Sequence, residues 1–278
     1  DEPTGETYAD VRNNDLIFTN AKTALAPKLA SYPELQKSLL SIKNIVTAPY
    51  NESLVGSDTK GGVQTWCPQF SEFNSSALRQ TYASRQVRAN TQRQYGENVW
   101  WYGCITPASP FPSYHTDANL INSRLIPWMQ YDYGVEGNLY WSVCYYQKYK
   151  SGGQVVDRDV WNDANSYEDC CGDGQLLYPG SSYGLTKPIS TLRLESIREG
   201  NEDYEYFWMF DQKVQQYNAA HSTALKSVDL LQRYYQGLFT DMKPVNASEL
   251  FASQRSNLLT SLEKMETNLD GAIAELTK

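Results

Sequence analysis

The chain has 278 residues, of which 41% are hydrophobic, so it can bury a sizeable core as one large domain or two small ones. Its net charge of −8, without any basic stripe, excludes the electrostatic footprint of a nucleic-acid-binding protein. No apolar run approaches the ~18 residues that a membrane helix needs, so we predict no membrane span. Aromatic residues make up 13% of the chain, a composition that suits either stacking on sugars or an aromatic core.

The spacing of the five cysteines argues against a metal site. None belongs to a CxxC pair and only two histidines are present, so we predict no metal. We expect a disulfide, and a bridge between Cys104 and Cys144 is conceivable because both fall near the ends of neighbouring predicted strands. The pairing of Cys67, Cys170 and Cys171 cannot be derived from the sequence.

Three N-x-S/T sequons, at Asn51, Asn74 and Asn246, permit N-glycosylation. Together with the cysteines they favour an oxidising environment, and we expect a secreted or lumenal glycoprotein.

Strand-like and helical segments alternate along the first half of the chain. Residues 8–25 have apolar side chains at helical spacing and are followed by Pro27, which predicts an amphipathic helix. Residues 43–47 are a short β-branched strand, and residues 61–69 hold a second strand. A helix over residues 76–92 follows.

The same alternation continues past the middle of the chain. Residues 99–104 predict a third strand, and residues 117–133 a helix that begins at Asp117 and ends before Gly134. A fourth strand is predicted over residues 137–143. The long polar segment 147–187 carries little regular pattern, and long segments of this kind are often functional.

Three more helices are predicted, over residues 190–217, 224–239 and 247–276. Four β-then-α units with apolar, aromatic strands indicate buried parallel strands. We therefore predict an α/β fold comprising half of a (β/α)8 TIM-type barrel over residues 1–220. Residues 221–278 are predicted to be a helical C-terminal extension.

The chain opens on two adjacent carboxylates, Asp1 and Glu2, followed by Pro3. Where a strand breaks at such a pair, both side chains can face one ligand, and their acid and base roles can separate. Glycoside hydrolysis needs such a pair. Taken alone, an N-terminal D-E-P triplet is usually a solvated chain end, so the functional interpretation depends on the rest of the chain.

Five ordered segments within roughly residues 1–210 resemble the catalytic domain of glycoside hydrolase family 123, the β-N-acetylgalactosaminidases. They are W-W-Y-G-C-I-T-P (100–107), N-S-R-L-I-P-W-M-Q-Y-D-Y-G-V-E-G (122–137), N-L-Y-W-S-V (138–143), G-D-G-Q-L-L-Y-P-G (172–180) and P-I-S-T-L-R-L-E-S-I-R-E-G-N-E-D-Y-E-Y (188–206).

The resemblance implies roles for the two carboxylates, because a D-E-P triplet ends the fourth barrel strand in that family. Glu2 would be the general acid/base. Asp1 would orient the 2-acetamido group of the substrate, which attacks the anomeric carbon in place of an enzyme nucleophile. If the fourth strand ends at Asp1, the first half of the barrel is expected to come from an N-terminal segment or a second chain.

Further residues are candidates for substrate binding. Those on or near strand ends are Trp66, Trp101, Tyr102 and Trp141, where alternation sends some side chains into the core and others toward a ligand. Asp173, between two glycines, suits either a sugar hydroxyl or a plain turn, and Tyr178 lies beside it. His115 is either a ligand-binding or a surface histidine. Arg193 and Glu195 follow the family pattern and are candidates for bracing the barrel.

Two functions remain open. The first is a retaining β-N-acetylhexosaminidase that acts on glycans containing N-acetylgalactosamine and needs no cofactor, provided that the missing half-barrel is supplied. The second is a non-catalytic, barrel-derived glycan-binding or structural protein of an extracellular assembly. The intact Asp1–Glu2 pair favours the first, and the missing half-barrel favours the second.

Overall fold

Four short strands form one sheet in a computed structural model that describes residues 1–56, 61–87, 97–149, 152–167 and 170–278. The sheet follows chain order from β1 (Ile45–Val46) through β2 (Thr65–Trp66) and β3 (Asn98–Gly103) to β4 (Gly137–Tyr140). β1 pairs with β2, and β2 with β3, in parallel. Consecutive parallel neighbours are what successive β/α units produce, which confirms the α/β prediction.

The structure confirms the α/β class and the parallel pairing of strands, but it does not confirm the barrel itself. Within the described residues the sheet has four strands and does not close on itself. Its first strand, β1, lies at one edge, and Ile45 on that strand is exposed.

The described part of the chain contains eight α-helices. In chain order they are α1 (Tyr8–Leu25), α2 (Pro33–Ser41), α3 (Ser76–Val87), α4 (Ile121–Asp132), α5 (Leu192–His221), α6 (Ser227–Tyr235), α7 (Ser248–Thr267) and α8 (Leu269–Leu276). Each predicted helix is found, but the end predicted for α3, residues 88–92, lies outside the described residues. The periodicity missed α2, which begins at Pro33 in the first turn, a position where proline is favourable.

Several predicted helix boundaries were wrong, including both ends of α6, which was predicted over residues 224–239. α4 begins at Ile121 rather than at Asp117, because the backbone before it forms turns, such as the bond from Ala118 N to the His115 carbonyl. The predicted helix over residues 247–276 is broken between α7 and α8. Asn268 accepts a hydrogen bond from Gly271 N with its side chain and so caps a new helix, while the apolar spacing continues across the break.

The apolar face expected for α1 is not its buried face. Ile17, Phe18 and Leu25 are exposed, whereas Asp15 and Lys22 are buried. Asp15 accepts hydrogen bonds from Gly62 N at 2.9 Å and from the Asn44 amide at 3.1 Å. Lys22 donates to the Ile42 carbonyl at 2.6 Å. Polar contacts to loop backbone therefore orient this helix, and spacing alone cannot reveal them.

The segment predicted as an irregular loop contains short antiparallel pairs. They are β5 (Gln147–Tyr149) with β6 (Val155–Asp157), β7 (Asn165–Tyr167) with β8 (Cys170–Cys171), and β9 (Leu177–Tyr178) with β10 (Ile189–Ser190). A further pair, β11 (Phe239–Thr240) and β12 (Lys243–Pro244), follows α6. Runs of two or three residues are too short for alternation to be recognised.

The predicted disulfide is absent from the structure. All five cysteines lie among the described residues and none is bonded to another. Cys104 and Cys170 instead direct their sulfurs at the carbonyls of Thr106 and Ile105, each at 3.6 Å. Cys67 is completely buried in the core, where burial raises the pKa of its thiol to about 12.

The contacts divide the chain into two compact units, and each is described by itself below. Unit 1 comprises residues 1–102 and 134–139, and unit 2 comprises residues 103–133 and 140–278. Within unit 2, α5 contacts α4 as well as α6, α7 and α8. The proposed division between residues 220 and 221 remains a prediction.

The crossing of α4 and α5 depends on Gly200. A Cβ atom at this position would lie 2.8 Å from the Arg124 carbonyl oxygen and 2.9 Å from Pro127 Cγ. We expect Gly200→Ala to destabilise the protein by ~1–3 kcal/mol through overpacking, although Ala normally stabilises a helix by ~1 kcal/mol relative to Gly. Urea unfolding measures the change.

Gly5 provides the control for that substitution, because a Cβ atom there would meet nothing within 4 Å. Gly5→Ala is expected to leave the unfolding midpoint unchanged or slightly raised. Equal effects of the two substitutions would show that Gly200 is not a packing constraint.

Candidate active site

In unit 1, the two carboxylates of Asp1 and Glu2 lie at the carboxyl ends of parallel strands. Thr47 directly follows β1, and its hydroxyl donates to Asp1 Oδ1 at 2.7 Å while accepting from Glu2 N at 2.8 Å. Tyr102, near the end of β3, donates its hydroxyl to Glu2 Oε1 at 2.6 Å. Two strand ends thus hold the two acids separately, at the edge where parallel α/β folds place catalytic groups.

The backbone turns sharply between these two acids. Glu2 has φ of +39°, in the left-handed region that residues with a side chain rarely adopt. This conformation departs from an extended strand, in which adjacent side chains point to opposite faces. Strain of this kind persists where surrounding contacts hold it, as those from Thr47 and Tyr102 do. Both acids are exposed and can meet a ligand.

Two aromatic residues predicted to bind substrate have no surface to offer one. Trp66 and Trp101 are completely buried. Trp66 donates its indole N–H to Glu97 at 2.6 Å, and Trp101 packs edge-on against Phe70 and Phe73. Since a sugar stacks on an exposed ring face, this placement favours packing for both. Tyr102 is also buried, and its hydroxyl contacts Glu2.

In unit 2, Asp173 is the centre of a buried polar cluster. The residue has no exposed surface, and its Oδ1 accepts from the Tyr140 hydroxyl at 2.9 Å. Its Oδ2 accepts from the Trp141 indole N–H at 3.0 Å. We call Asp173, Tyr140, Trp141 and His115 the Asp173 cluster. The sequence offered a sugar ligand or a plain turn for Asp173, and in the structure its carboxylate accepts hydrogen bonds from two aromatic side chains.

The chain can bring Asp173 to this position because a glycine stands on each side. Gly172 and Gly174 have φ of +75° and +71°, and Gly174 N donates to the Tyr140 hydroxyl at 2.7 Å. Arg193 braces the same turn, since its guanidinium donates to the Gly172 carbonyl at 2.9 Å and to the Gln175 carbonyl at 2.5 Å. Arg193 was expected to brace the barrel, and the contacts seen here hold the turn around Asp173.

Glu195, the other residue expected to brace the barrel, lies on the surface of α5. Its carboxylate accepts from the Ser190 hydroxyl at 2.6 Å and from Arg198 at 3.0 Å.

His115 is buried, contrary to the surface alternative. Its Nε2 lies 2.9 Å from the Cys104 carbonyl oxygen, and because a carbonyl only accepts, this nitrogen carries the proton. Asp173 Oδ1 lies 3.7 Å from the same nitrogen. Burial alone would lower the pKa of His115, but the nearby Asp173 carboxylate, the hydrogen bond to the Cys104 carbonyl and the charge of Asp117 raise it above the ordinary 6.5.

The raised pKa of His115 predicts a pH-dependent contribution to stability. A group whose pKa is higher in the folded protein stabilises it fully below the unfolded pKa of about 6.5, and this contribution is lost as the pH rises through the folded pKa. We therefore expect the melting temperature of the wild type to exceed that of His115→Gln most at about pH 5 and least at about pH 8. A difference that stays constant with pH would contradict the charged pair with Asp173.

Two of the predicted aromatic residues, both in unit 2, retain exposed surface. Trp141 is 37% exposed and its ring lies 4.8 Å from that of Tyr145. Tyr178 is half-buried and its ring lies 4.8 Å from that of Trp161. Thr47, Tyr140 and Trp161 were missed by the sequence reasoning, although the position of Thr47 directly after a strand was a usable signal.

Comparison with known proteins identifies the family of the chain. The family described as "Glycoside hydrolase 123, catalytic domain" matches residues 29–210. The chain belongs to glycoside hydrolase family 123. Its fold is similar to that of a family 123 glycoside hydrolase from Clostridium perfringens, studied for glycolipid glycan hydrolysis, with a TM-score of 0.50 at 15% identity. The alignment covers 95% of this chain and 46% of the Clostridium protein, so the chain spans about half its length. No curated protein matched the sequence.

The described residues contain neither a metal-binding cluster nor a membrane-spanning helix. Among the described residues, no group of three or more His, Cys, Asp or Glu side chains is placed to hold a metal ion. Nor does that part of the chain contain a helix long and apolar enough to cross a membrane.

Proposed function

We propose that the chain is a retaining glycoside hydrolase that acts on glycans containing N-acetylgalactosamine through participation of the substrate. The observation that carries the proposal is the Asp1–Glu2 pair, held at the ends of β1 and β3 by Thr47 and Tyr102. Membership of family 123 supports glycan hydrolysis as the reaction class. The glycolipid glycan studied with the Clostridium protein is a candidate substrate.

Asp1 polarises the nucleophile in this mechanism. Thr47 occupies Oδ1, which leaves Oδ2 to accept from the N–H of the 2-acetamido group. A carboxylate at that N–H increases electron density on the amide oxygen, which attacks C1 and forms an oxazolinium ring. The position of Asp1 is therefore more important than its basicity.

Glu2 moves the proton in both half-reactions. Its carboxyl proton goes to the glycosidic oxygen as the C1–O bond breaks. Glu2 then accepts a proton from water, whose oxygen attacks C1, opens the oxazolinium ring and restores the acetamido group. Two inversions at C1 give overall retention. Tyr102, which donates to Oε1, holds the carboxyl group in place throughout.

We also propose that the four-stranded sheet is half of a (β/α)8 barrel. The edge position of β1 with exposed Ile45 supports this, because a completed barrel would cover that edge. The remaining strands would come from an N-terminal segment or a second chain. The secreted or lumenal setting and glycosylation at Asn51, Asn74 or Asn246 remain proposals; of the three asparagines, Asn246 is exposed.

Two aryl glycosides test the proposed reaction. Release of 4-nitrophenol is expected from the N-acetyl-β-galactosaminide but not from the β-galactoside, which lacks the acetamido nucleophile. Equal rates on both would contradict substrate participation. Binding of the amide-bearing sugar without any hydrolysis would favour the non-catalytic glycan-binding alternative.

Thr47 provides a finer test of the carboxylate geometry. Thr47→Val keeps the shape of the side chain but removes its contacts with Asp1 and Glu2 N, so we expect kcat to fall about tenfold with little change in KM. Thr47→Ser retains the hydroxyl and should restore most of the rate. An equal loss in both variants would assign Thr47 a packing role only.

A further inference from the structure

We propose that unit 2 contains a further binding site, for an acidic sugar, in a cleft between α6, α7 and α8. An acidic sugar here means a pyranose that bears a carboxylate or a sulfate ester. The site is separate from the proposed reaction. Only the choice of a sugar, rather than another polar anion, rests on the proposed action on glycans.

The cleft, which we call the Arg233 cleft, has the size of a small-molecule site. It encloses about 400 Å³, within the ~300–1,000 Å³ typical of ligand pockets. Such pockets are usually lined by apolar side chains, whereas polar and charged side chains predominate here. They come from all three helices and include Arg233, Gln254, Asn257, Thr260, Lys264 and Glu275. A ligand that fits this lining is itself rich in polar groups.

Arg233 supplies a positive charge that no acid of the cleft neutralises. Its guanidinium donates through Nη2 to the Leu276 carbonyl of α8 and, in the part of the chain that the structure describes, forms no ion pair. A guanidinium carries more N–H donors than this one bond uses, and its planar fork matches the geometry of an oxyanion. Arg233 is therefore already placed by α8 and still able to bind an acidic group.

The other two charges of the cleft cancel each other. Lys264 Nζ lies 2.6 Å from Glu275 Oε2, and both side chains are more than half exposed. Exposed pairs of this kind contribute little stability, so an anion can attract the ammonium at small cost. The net charge of the lining is consequently that of Arg233, in a chain whose overall charge is −8.

The neutral side chains of the cleft suit sugar hydroxyls. Tyr234 is buried and donates to Ser261 Oγ at 2.7 Å, and Ser261 in turn donates to the Asn257 carbonyl at 3.0 Å. These bonds connect α6 with α7 and hold one wall of the cleft. The side chains of Asn257 and Thr260 have no hydrogen-bond partner among the described residues, and both can donate and accept, as each hydroxyl of a sugar does.

Two glycosides that differ only at C6 test the preference for charge. Methyl β-glucuronide has a carboxylate where methyl β-glucoside has a hydroxymethyl group, and neither has the acetamido group that the proposed hydrolysis needs. Titration calorimetry on the full chain should show about tenfold tighter binding of the glucuronide, the effect of one hydrogen-bonded charge. The 6-sulfate of the glucoside distinguishes the two acidic groups, because it binds more tightly than the glucuronide if the cleft prefers sulfate esters and more weakly if it prefers carboxylates.

Arg233→Gln should raise the Kd for the glucuronide about tenfold and leave the Kd for the glucoside unchanged. Arg198→Gln is the matched control. It changes the net charge equally, but Arg198 lies on α5, pairs with Glu195 and Glu202, and does not line the cleft. This control should retain the preference for the glucuronide.

Lys264→Gln and Glu275→Gln provide a second test, which stands even if Arg233→Gln fails to fold. Both variants break the same ion pair, so a merely structural role predicts changes of affinity in the same direction. The proposal predicts opposite directions. Loss of the ammonium should weaken binding of the glucuronide, and loss of the carboxylate should tighten it, each about threefold at low salt.

Several results would overturn the proposal: equal affinities for the two glycosides, equal effects of Arg233→Gln and Arg198→Gln, or changes in the same direction for Lys264→Gln and Glu275→Gln. Inorganic sulfate that binds as tightly as the acidic glycosides would reveal an anion site without a role for the sugar. A short polyglutamate peptide that binds more tightly than either would indicate a protein partner instead. Failure of the proposed hydrolysis looks different, because the acidic glycosides bind whether or not N-acetyl-β-galactosaminides are hydrolysed.

Discussion

Glu2→Gln is expected to lower kcat on an oligosaccharide substrate by ~10²–10⁴-fold, the usual contribution of a general acid/base. The amide cannot donate a proton to the glycosidic oxygen, and it retains the shape and the Tyr102 contact at Oε1. Aryl glycosides with good leaving groups need less protonation and should lose less. Steady-state kinetics on both substrate classes, with folding checked by circular dichroism, measure the difference.

Glu6→Gln is the control for that variant, because Glu6 is an exposed acid in the same N-terminal segment and changes the net charge equally. It should leave both rates unchanged. Equal loss on the two substrate classes in Glu2→Gln would count against Glu2 as the acid, and no loss on either would remove it from the mechanism.

Asp203→Ala is expected to destabilise the protein by about 3 kcal/mol, because removing one partner of a buried ion pair leaves the others uncompensated. Asp203 has no exposed surface and accepts from Arg124 at 2.9 Å, Trp128 at 3.1 Å and Arg255 at 2.6 Å. These bonds connect α5 with α4 and α7. The melting temperature should fall by roughly 6–12 °C.

Glu202→Gln, at the adjacent position of α5, is the control for Asp203→Ala. It removes the charge of an exposed acid, so it shows whether the loss of stability depends on burial. Glu202 pairs with Arg198 at 2.5 Å, but both side chains are largely exposed, and such pairs contribute little, about 0–1 kcal/mol. The melting temperature should therefore hardly change. Similar losses in the two variants would mean that the Asp203 network stabilises no more than a surface pair.

The parallel sheet and the long helices could be predicted because their residues carry the pattern themselves. The run that includes Val99 and Trp101 in β3 is continuously apolar, and Phe207, Phe210 and Val214 recur at helical spacing in α5. The buried face of α1 could not be predicted, because Asp15 and Lys22 are buried by contacts with residues 20 to 47 positions away.

The same distinction separates the predictable and unpredictable parts of the site. The Asp1–Glu2 pair could be recognised because the two acids are consecutive in the sequence. The residues that hold the pair could not be predicted, because Thr47 and Tyr102 lie 45 and 100 positions away from Glu2 in the sequence. Likewise the sequence G-D-G indicated a turn at Asp173, but it carries no information about the aromatic donors that bury the carboxylate.

The stereochemistry of the first product tests the central claim most directly. Proton NMR follows the anomeric signals while the full chain hydrolyses an N-acetyl-β-galactosaminide. Because the acetamido oxygen and then water each attack C1 once, the β-anomer of N-acetylgalactosamine should appear first and the α-anomer only later, by mutarotation. Initial appearance of the α-anomer would show direct attack by water and would contradict the roles proposed for Asp1 and Glu2.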